Sequence, residues 1–75
     1  MKVFKHVLEG RDSEALGVGK ILHAAMQGDD ICFWYEYDHT VGSRHFIIVS
    51  TGQEFRGKYV GTVLADPFVW HVVEI

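Results

Sequence analysis

The sequence has little cysteine and no long hydrophobic run, and each absence excludes a class of protein. Cys32 is the only cysteine among 75 residues, so an internal disulfide framework is excluded and a reducing compartment is expected. No apolar stretch approaches the roughly 18–20 residues that a membrane-spanning helix needs. The N-terminus also lacks the apolar core of a secretion signal. We therefore expect a cytoplasmic domain with no membrane partner.

Charge of one sign is scarce as well. Seven Lys and Arg residues face ten Asp and Glu residues, which gives a net charge of -3. Nucleic-acid-binding surfaces concentrate Lys and Arg, and no basic stripe is visible here, so no nucleic-acid partner is predicted. With 48% hydrophobic residues, the chain is too apolar to be disordered. Its length fits one small domain, residues 1–75.

Glycine and the single proline punctuate the chain at short intervals and predict an all-β fold. The pieces between them have strand length and are rich in β-branched and aromatic residues. The six predicted strands are Val3–Glu9, Lys20–Gln27, Ile31–Asp38, Arg44–Thr51, Tyr59–Leu64 and Phe68–Glu74. We expect a meander of hairpins that forms a single small antiparallel sheet or a partly open barrel of five to six strands.

Two segments also admit a helical interpretation. Ser13 is a good N-cap residue, so at most one short helical turn is expected near residues 13–17, inside a long loop from Glu9 to Gly19. The segment 21–26 contains good helix formers. Fewer than ten residues separate Gly19 from Gly28, however, and that length favours a strand.

Two of the predicted strands, Ile31–Asp38 and Phe68–Ile75, are apolar on both faces. A half-solvated antiparallel strand should instead alternate between apolar and polar residues. Either the sheet curls into a covered barrel or one face packs on another subunit. The short chain has no disulfide or metal staple, so we predict a homo-oligomer. Adjacent strand residues point to opposite faces, and we expect Trp70 to anchor the core and His71 to meet a partner.

Side chains that could carry catalysis form no recognisable constellation. The histidines lack the close spacing of zinc ligands, so no metal is predicted. Cys32 lies in an apolar strand and is predicted to be a buried, inert thiol. The segment 17–20 resembles a phosphate loop only superficially, because a Walker motif needs glycine at the position of Glu14. We therefore predict neither an enzyme nor a cofactor.

Several segments carry a resemblance to a known group of proteins. These segments are Gly19–His23, Ile31–Glu36, Ser50–Glu54, Tyr59–Val63 and Pro67–Glu74. Together they resemble a family of small uncharacterised proteins from phages and prophages, over nearly the whole chain from about Val3. The resemblance implies a phage-type accessory product in a bacterial cytoplasm, and it supplies no functional residue. Related chains often place a proline around residues 15–17, and this sequence has none there.

These observations predict a protein that acts by binding, modulating a host or phage protein through an aromatic surface. The alternative is an oligomeric sponge that sequesters a nucleotide-like small molecule, with basic side chains on its phosphate. An enzyme whose site is shared between subunits ranks third. The candidate binding residues are Trp34, Arg44, His45, Arg56, Lys58 and His71.

Overall fold

A computed structural model describes residues 1–10 and 12–75 and confirms the all-β prediction. The described residues form seven strands: β1 (Val3–Leu8), β2 (Asp12–Leu16), β3 (Val18–Gln27), β4 (Asp30–Tyr37), β5 (Ser43–Ser50), β6 (Lys58–Ala65) and β7 (Phe68–Glu74). Within the described residues, no helix is long and apolar enough to cross a membrane.

The strands form two antiparallel sheets, ordered β1-β4-β3 and β2-β5-β7-β6. Of the expectation of five to six strands in a single sheet or partly open barrel, the strand count and the single sheet are wrong, because the described residues form seven strands in two sheets that face each other without closing a barrel. β1 approaches β2, and β3 approaches β6, without joining the sheets by a strand ladder. The β3–β4 and β6–β7 hairpins follow the predicted pairing.

The one strand that the sequence did not predict, β2, replaces the helical turn expected near residues 13–17. Ser13 and Ala15 are buried while Glu14 and Leu16 are exposed, which is the alternation of a strand with one buried face. β2 pairs with β5, with Ser13 opposite Phe46. The predicted long loop from Glu9 to Gly19 is therefore wrong, because the tertiary pairing outweighs the local N-cap preference of Ser13.

The core lies between the inner faces of the two sheets. Phe33 from β4 and Phe46 from β5 are fully buried, and their ring centroids are 4.8 Å apart. The other buried members of the core are Leu8, Ala15, Val18, Tyr35, Val63 and Val72. Since Val72 faces this core, Trp70 also lies on the inner face of β7, and His71 lies on the outer face.

The connection between β5 and β6, residues 51–57, crosses over β7. Both strands run antiparallel to β7, which lies between them. The crossing lies on the outer face, since a Cβ atom at Gly57 would be 3.1 Å from Cγ1 of Val73 and would clash with the carbonyl oxygen of Glu74. The φ angle of Gly57 is also +140°, a value that other residues rarely adopt. This crossover accounts for the burial of Val49 and Val73 on the outer face.

Candidate functional site

An open groove lies between the sheets, at the end of the molecule where β4 and β7 begin. It has a volume of about 650 Å³, within the roughly 300–1,000 Å³ typical of binding pockets. Among the residues that the structure describes, those that line it are Gly10, Ile31, Ile47, Ile48, Gln53 and Trp70. Ile31 and Ile48 also pack against the core. The groove therefore begins where the core ends, and its walls are mainly apolar.

Trp70 is a wall of this groove rather than the core anchor that the sequence predicts. It is half-buried, whereas Val72, two residues further along the inner face, is fully buried. The reason is position, since Trp70 lies near the end of the sheet, where the opposite sheet covers it only in part. Its ring stacks on Phe68, with 5.7 Å between the centroids and 28° between the planes. Phe68 is 58% exposed, so the pair presents an aromatic surface at the mouth of the groove.

Carboxylates surround the same end of the molecule. Gly10 and Ile31 line the groove, and their sequence neighbours are Glu9 and Asp30. Asp29 lies in the β3–β4 turn and Asp66 in the β6–β7 turn. These two turns are neighbours, because β3 and β6 run side by side in the same direction, with a Cβ at Gly61 falling 3.3 Å from that of Ala24. We call Glu9, Asp29, Asp30 and Asp66 the acidic rim; all four are exposed.

His71 belongs to a hydrogen-bonded chain on the outer face of the four-stranded sheet. Its Nε2 lies 2.8 Å from Oγ1 of Thr51, and its Nδ1 lies 2.9 Å from Oγ1 of Thr62. Thr62 is also bonded to the hydroxyl of Tyr59. Both ring nitrogens of His71 are therefore engaged within the fold, and the imidazole ties the crossover to β6.

Arg44 acts as a clamp between the two sheets. Its Nε and Nη2 donate to the two carboxylate oxygens of Glu74, at 2.8 and 2.6 Å. Its Nη1 donates to the carbonyl oxygens of Val18 and Gly19, at 2.7 and 2.8 Å. The hydrogen bonds from Arg44 lower the pKa of Glu74, and the carboxylate in turn raises the pKa of Arg44. All three guanidinium nitrogens are thus used inside the protein.

The remaining predicted binding residues are Trp34, His45, Arg56 and Lys58, and of these Lys58 lines a small pocket together with Arg44. Trp34 is half-buried on the outer face of the three-stranded sheet, with its ring 6.1 Å from that of His23. His45 lies on the outer face of the other sheet, beside Asp12 and Glu14. Arg56 is exposed in the crossover, and Lys58 is exposed at the start of β6. The structure brings none of the six predicted residues into the open groove.

Sequence reasoning missed the groove because its members come from five separate parts of the chain, namely the β1–β2 connection, β4, β5, the crossover and β7. The lining residues Gly10, Ile48 and Gln53 carry no motif that identifies them. One sequence signal did point to the groove. Ile31 lies in one of the two predicted strands that are apolar on both faces, and Trp70 lies in the other. That pattern indicated uncovered apolar surface, although it could not locate it.

The side chains of Cys32 and His6 also have specific contacts within the fold. Cys32 is fully buried, as predicted. Lys5 and Gln27 hydrogen-bond to each other from the strands on either side of β4, and their bridge passes over Cys32. His6 lies 2.7 Å from Oγ of Ser13 through its Nε2. Burial lowers the pKa of His6 below its ordinary value of 6.5, and the charge of Glu9 opposes that shift.

In residues 1–10 and 12–75, no group of three or more His, Cys, Asp or Glu side chains is arranged to hold a metal ion.

Comparison with known proteins identifies a family. Residues 1–75 match the family described as "Domain of unknown function (DUF7352)". No curated protein and no solved structure matches the chain. The family description names no activity.

Proposed function

The chain belongs to the DUF7352 family, and we propose that it is a small phage-type accessory protein that binds another protein through the open groove. The observation that carries the proposal is the stacked pair of exposed Phe68 and half-buried Trp70 at the mouth of that groove. Trp and other large aromatic residues are enriched in binding hot spots because they bury much apolar surface at small entropic cost. The phage-type origin rests on the sequence resemblance of the β6–β7 hairpin and the central strands.

A protein partner suits this groove better than a nucleotide-like ligand. Phosphate is attracted by Arg and Lys side chains, whereas the four carboxylates of the acidic rim lie at the same end of the molecule as the groove. Arg44, the basic residue with the most donors, is bound to Glu74 and to backbone carbonyls. Among residues 1–10 and 12–75, no guanidinium lines the groove to offset the repulsion of a phosphate by these carboxylates.

We also propose that the protein forms a homo-oligomer through a different surface. The chain exposes 5111 Å², about a tenth more than the roughly 4,650 Å² expected for a monomer of its mass. Leu64 and Val69 are neighbours across β6 and β7 on the outer face, and they are 75% and 39% exposed. A second copy covering this outer patch would leave the groove free for its partner.

Position-specific photo-cross-linking in bacterial cells tests the binding proposal. A benzophenone amino acid replaces Phe68 at the groove mouth or, as the matched control, Leu16, which is 67% exposed at the opposite end of the molecule. We expect a discrete adduct with another protein from position 68 and not from position 16.

Three results would contradict the proposal. Position 68 could give no adduct, it could give the same adducts as position 16, or it could give only the dimer of this chain. The first two would remove the groove as a specific binding surface. The third would assign the groove to self-association, and the outer patch around Leu64 would lose that role.

A further inference from the structure

We infer that the open groove receives a cationic segment of its protein partner, in which Lys or Arg residues flank an apolar anchor side chain. This inference rests on the proposed function, because it names the chemistry of the partner that the groove binds. The anchor fills the apolar volume between Ile31, Ile48 and Trp70. The flanking cations face the acidic rim.

The negative charge at this end of the molecule complements a cationic partner. The acidic rim places four carboxylates around one end of the molecule, although the whole chain has a net charge of only -3. Of the basic residues described by the structure, Lys5 comes near this end through its bond to Gln27. Interfaces match positive surface against negative surface, which raises the association rate and disfavours partners of the wrong charge. An acidic segment would be repelled by this rim.

The aromatic pair Phe68 and Trp70 also favours a cationic partner. The faces of the Phe68 and Trp70 rings carry negative quadrupole charge, and a Lys or Arg group within about 6 Å of a ring centroid is attracted to it. Phe68 is 58% exposed, so a cation can reach its ring without displacing core residues. Trp is the best aromatic partner for such a contact. The rim and the aromatic pair therefore favour the same kind of side chain.

The same charges disfavour a second copy of this chain as the occupant. A two-fold contact places the same patch of both subunits together. At this end it would bring two acidic rims face to face, and like charges brought together at an interface destabilise it. A cationic partner gains from the same carboxylates.

A random dodecapeptide display library provides the test. The library is selected on the purified full-length chain, and binders to a Phe68→Ser variant are subtracted. We expect the enriched peptides to carry Lys or Arg beside an aliphatic or aromatic residue. The affinity of one enriched peptide is then measured for two variants, each of which loses two negative charges. The rim variant is Asp29→Asn with Asp66→Asn, and the control is Glu14→Gln with Glu36→Gln.

At low salt we expect the rim variant to bind the peptide about tenfold more weakly and the control variant to change less than twofold. Enriched peptides that depend on Phe68 but carry no excess of Lys or Arg would overturn the cationic partner and leave the groove as a binding site. Enriched peptides resembling residues 64–70 of this chain would point to self-association instead. Absence of any Phe68-dependent enrichment would overturn the proposed function itself.

Discussion

The substitution Glu74→Gln tests whether the Arg44 clamp holds the two sheets together. Glutamine keeps the shape of the side chain and removes its charge. One of the two charge-assisted hydrogen bonds from Arg44 is lost, and an amide N–H is turned toward the guanidinium. The pair is only 23% exposed on each side chain, so water replaces these interactions poorly. We expect a loss of about 2 kcal/mol in the free energy of unfolding.

Urea unfolding measures this loss directly. A domain of this size is stabilised by only about 3–5 kcal/mol, and an m-value near 1 kcal/mol/M converts the expected loss into a midpoint lowered by about 2 M. Glu54→Gln is the matched control, because Glu54 is exposed in the crossover, and it should change stability by less than about 0.5 kcal/mol. Equal effects of the two substitutions would refute the clamp.

The same pair predicts a pH dependence with a definite sign. Arg44 lowers the pKa of Glu74 below its ordinary value of 4.5, so the carboxylate contributes stability above that pH. The contribution is lost as the pH falls through the lowered pKa, where the carboxylate becomes protonated in the folded state. The difference between wild type and Glu74→Gln should therefore be full at pH 6 and should shrink in strong acid. A difference that persists unchanged at pH 2 would contradict this account.

Three further predictions concern other parts of the molecule. Because burial lowers the pKa of His6, the free energy of unfolding should fall as the pH drops below 6.5, and urea titrations of His6→Gln should lack that component. Gly57→Ala should lower the free energy of unfolding by more than about 2 kcal/mol, and Gly52→Ala by only about 1–2 kcal/mol. Both glycines have a positive φ angle, but only a side chain at Gly57 would meet the backbone of Glu74. Similar melting temperatures for the two variants would refute the close crossing. Sedimentation equilibrium should show a dimer or larger species at micromolar concentration, and a monomer of 8.5 kDa throughout would exclude the oligomer.

Strand positions could be predicted where local pattern and tertiary pairing agree. The glycine punctuation and β-branched residues placed six strands near their observed positions, including the one at residues 20–27, where helix formers competed. β2 was missed because it has only five residues and begins with residues that favour N-caps. Its alternation of buried Ser13 and Ala15 with exposed Glu14 and Leu16 exists only because β5 pairs with it.

The candidate site was less predictable, because it depends on which sheet each strand joins. The sequence pattern marks Arg44 as a free cation, whereas the fold places it beside Glu74, 30 residues later, and beside two carbonyl oxygens of β3. Trp70 has the pattern of a core residue, yet the opposite sheet ends too early to cover it. The distribution of strands between two sheets fixes both outcomes, and short-range patterns contain no information about it.

The most direct test of the central claim measures how tightly two variants bind the protein partner that is recovered by cross-linking at position 68. Phe68→Ser alters the groove mouth, and Leu16→Ser alters the opposite end of the molecule; both side chains are more than half exposed, so both variants should fold. Calorimetry should show at least tenfold weaker binding for Phe68→Ser and a change below twofold for Leu16→Ser. Equal weakening by both, or unchanged binding by Phe68→Ser, would contradict binding through the groove.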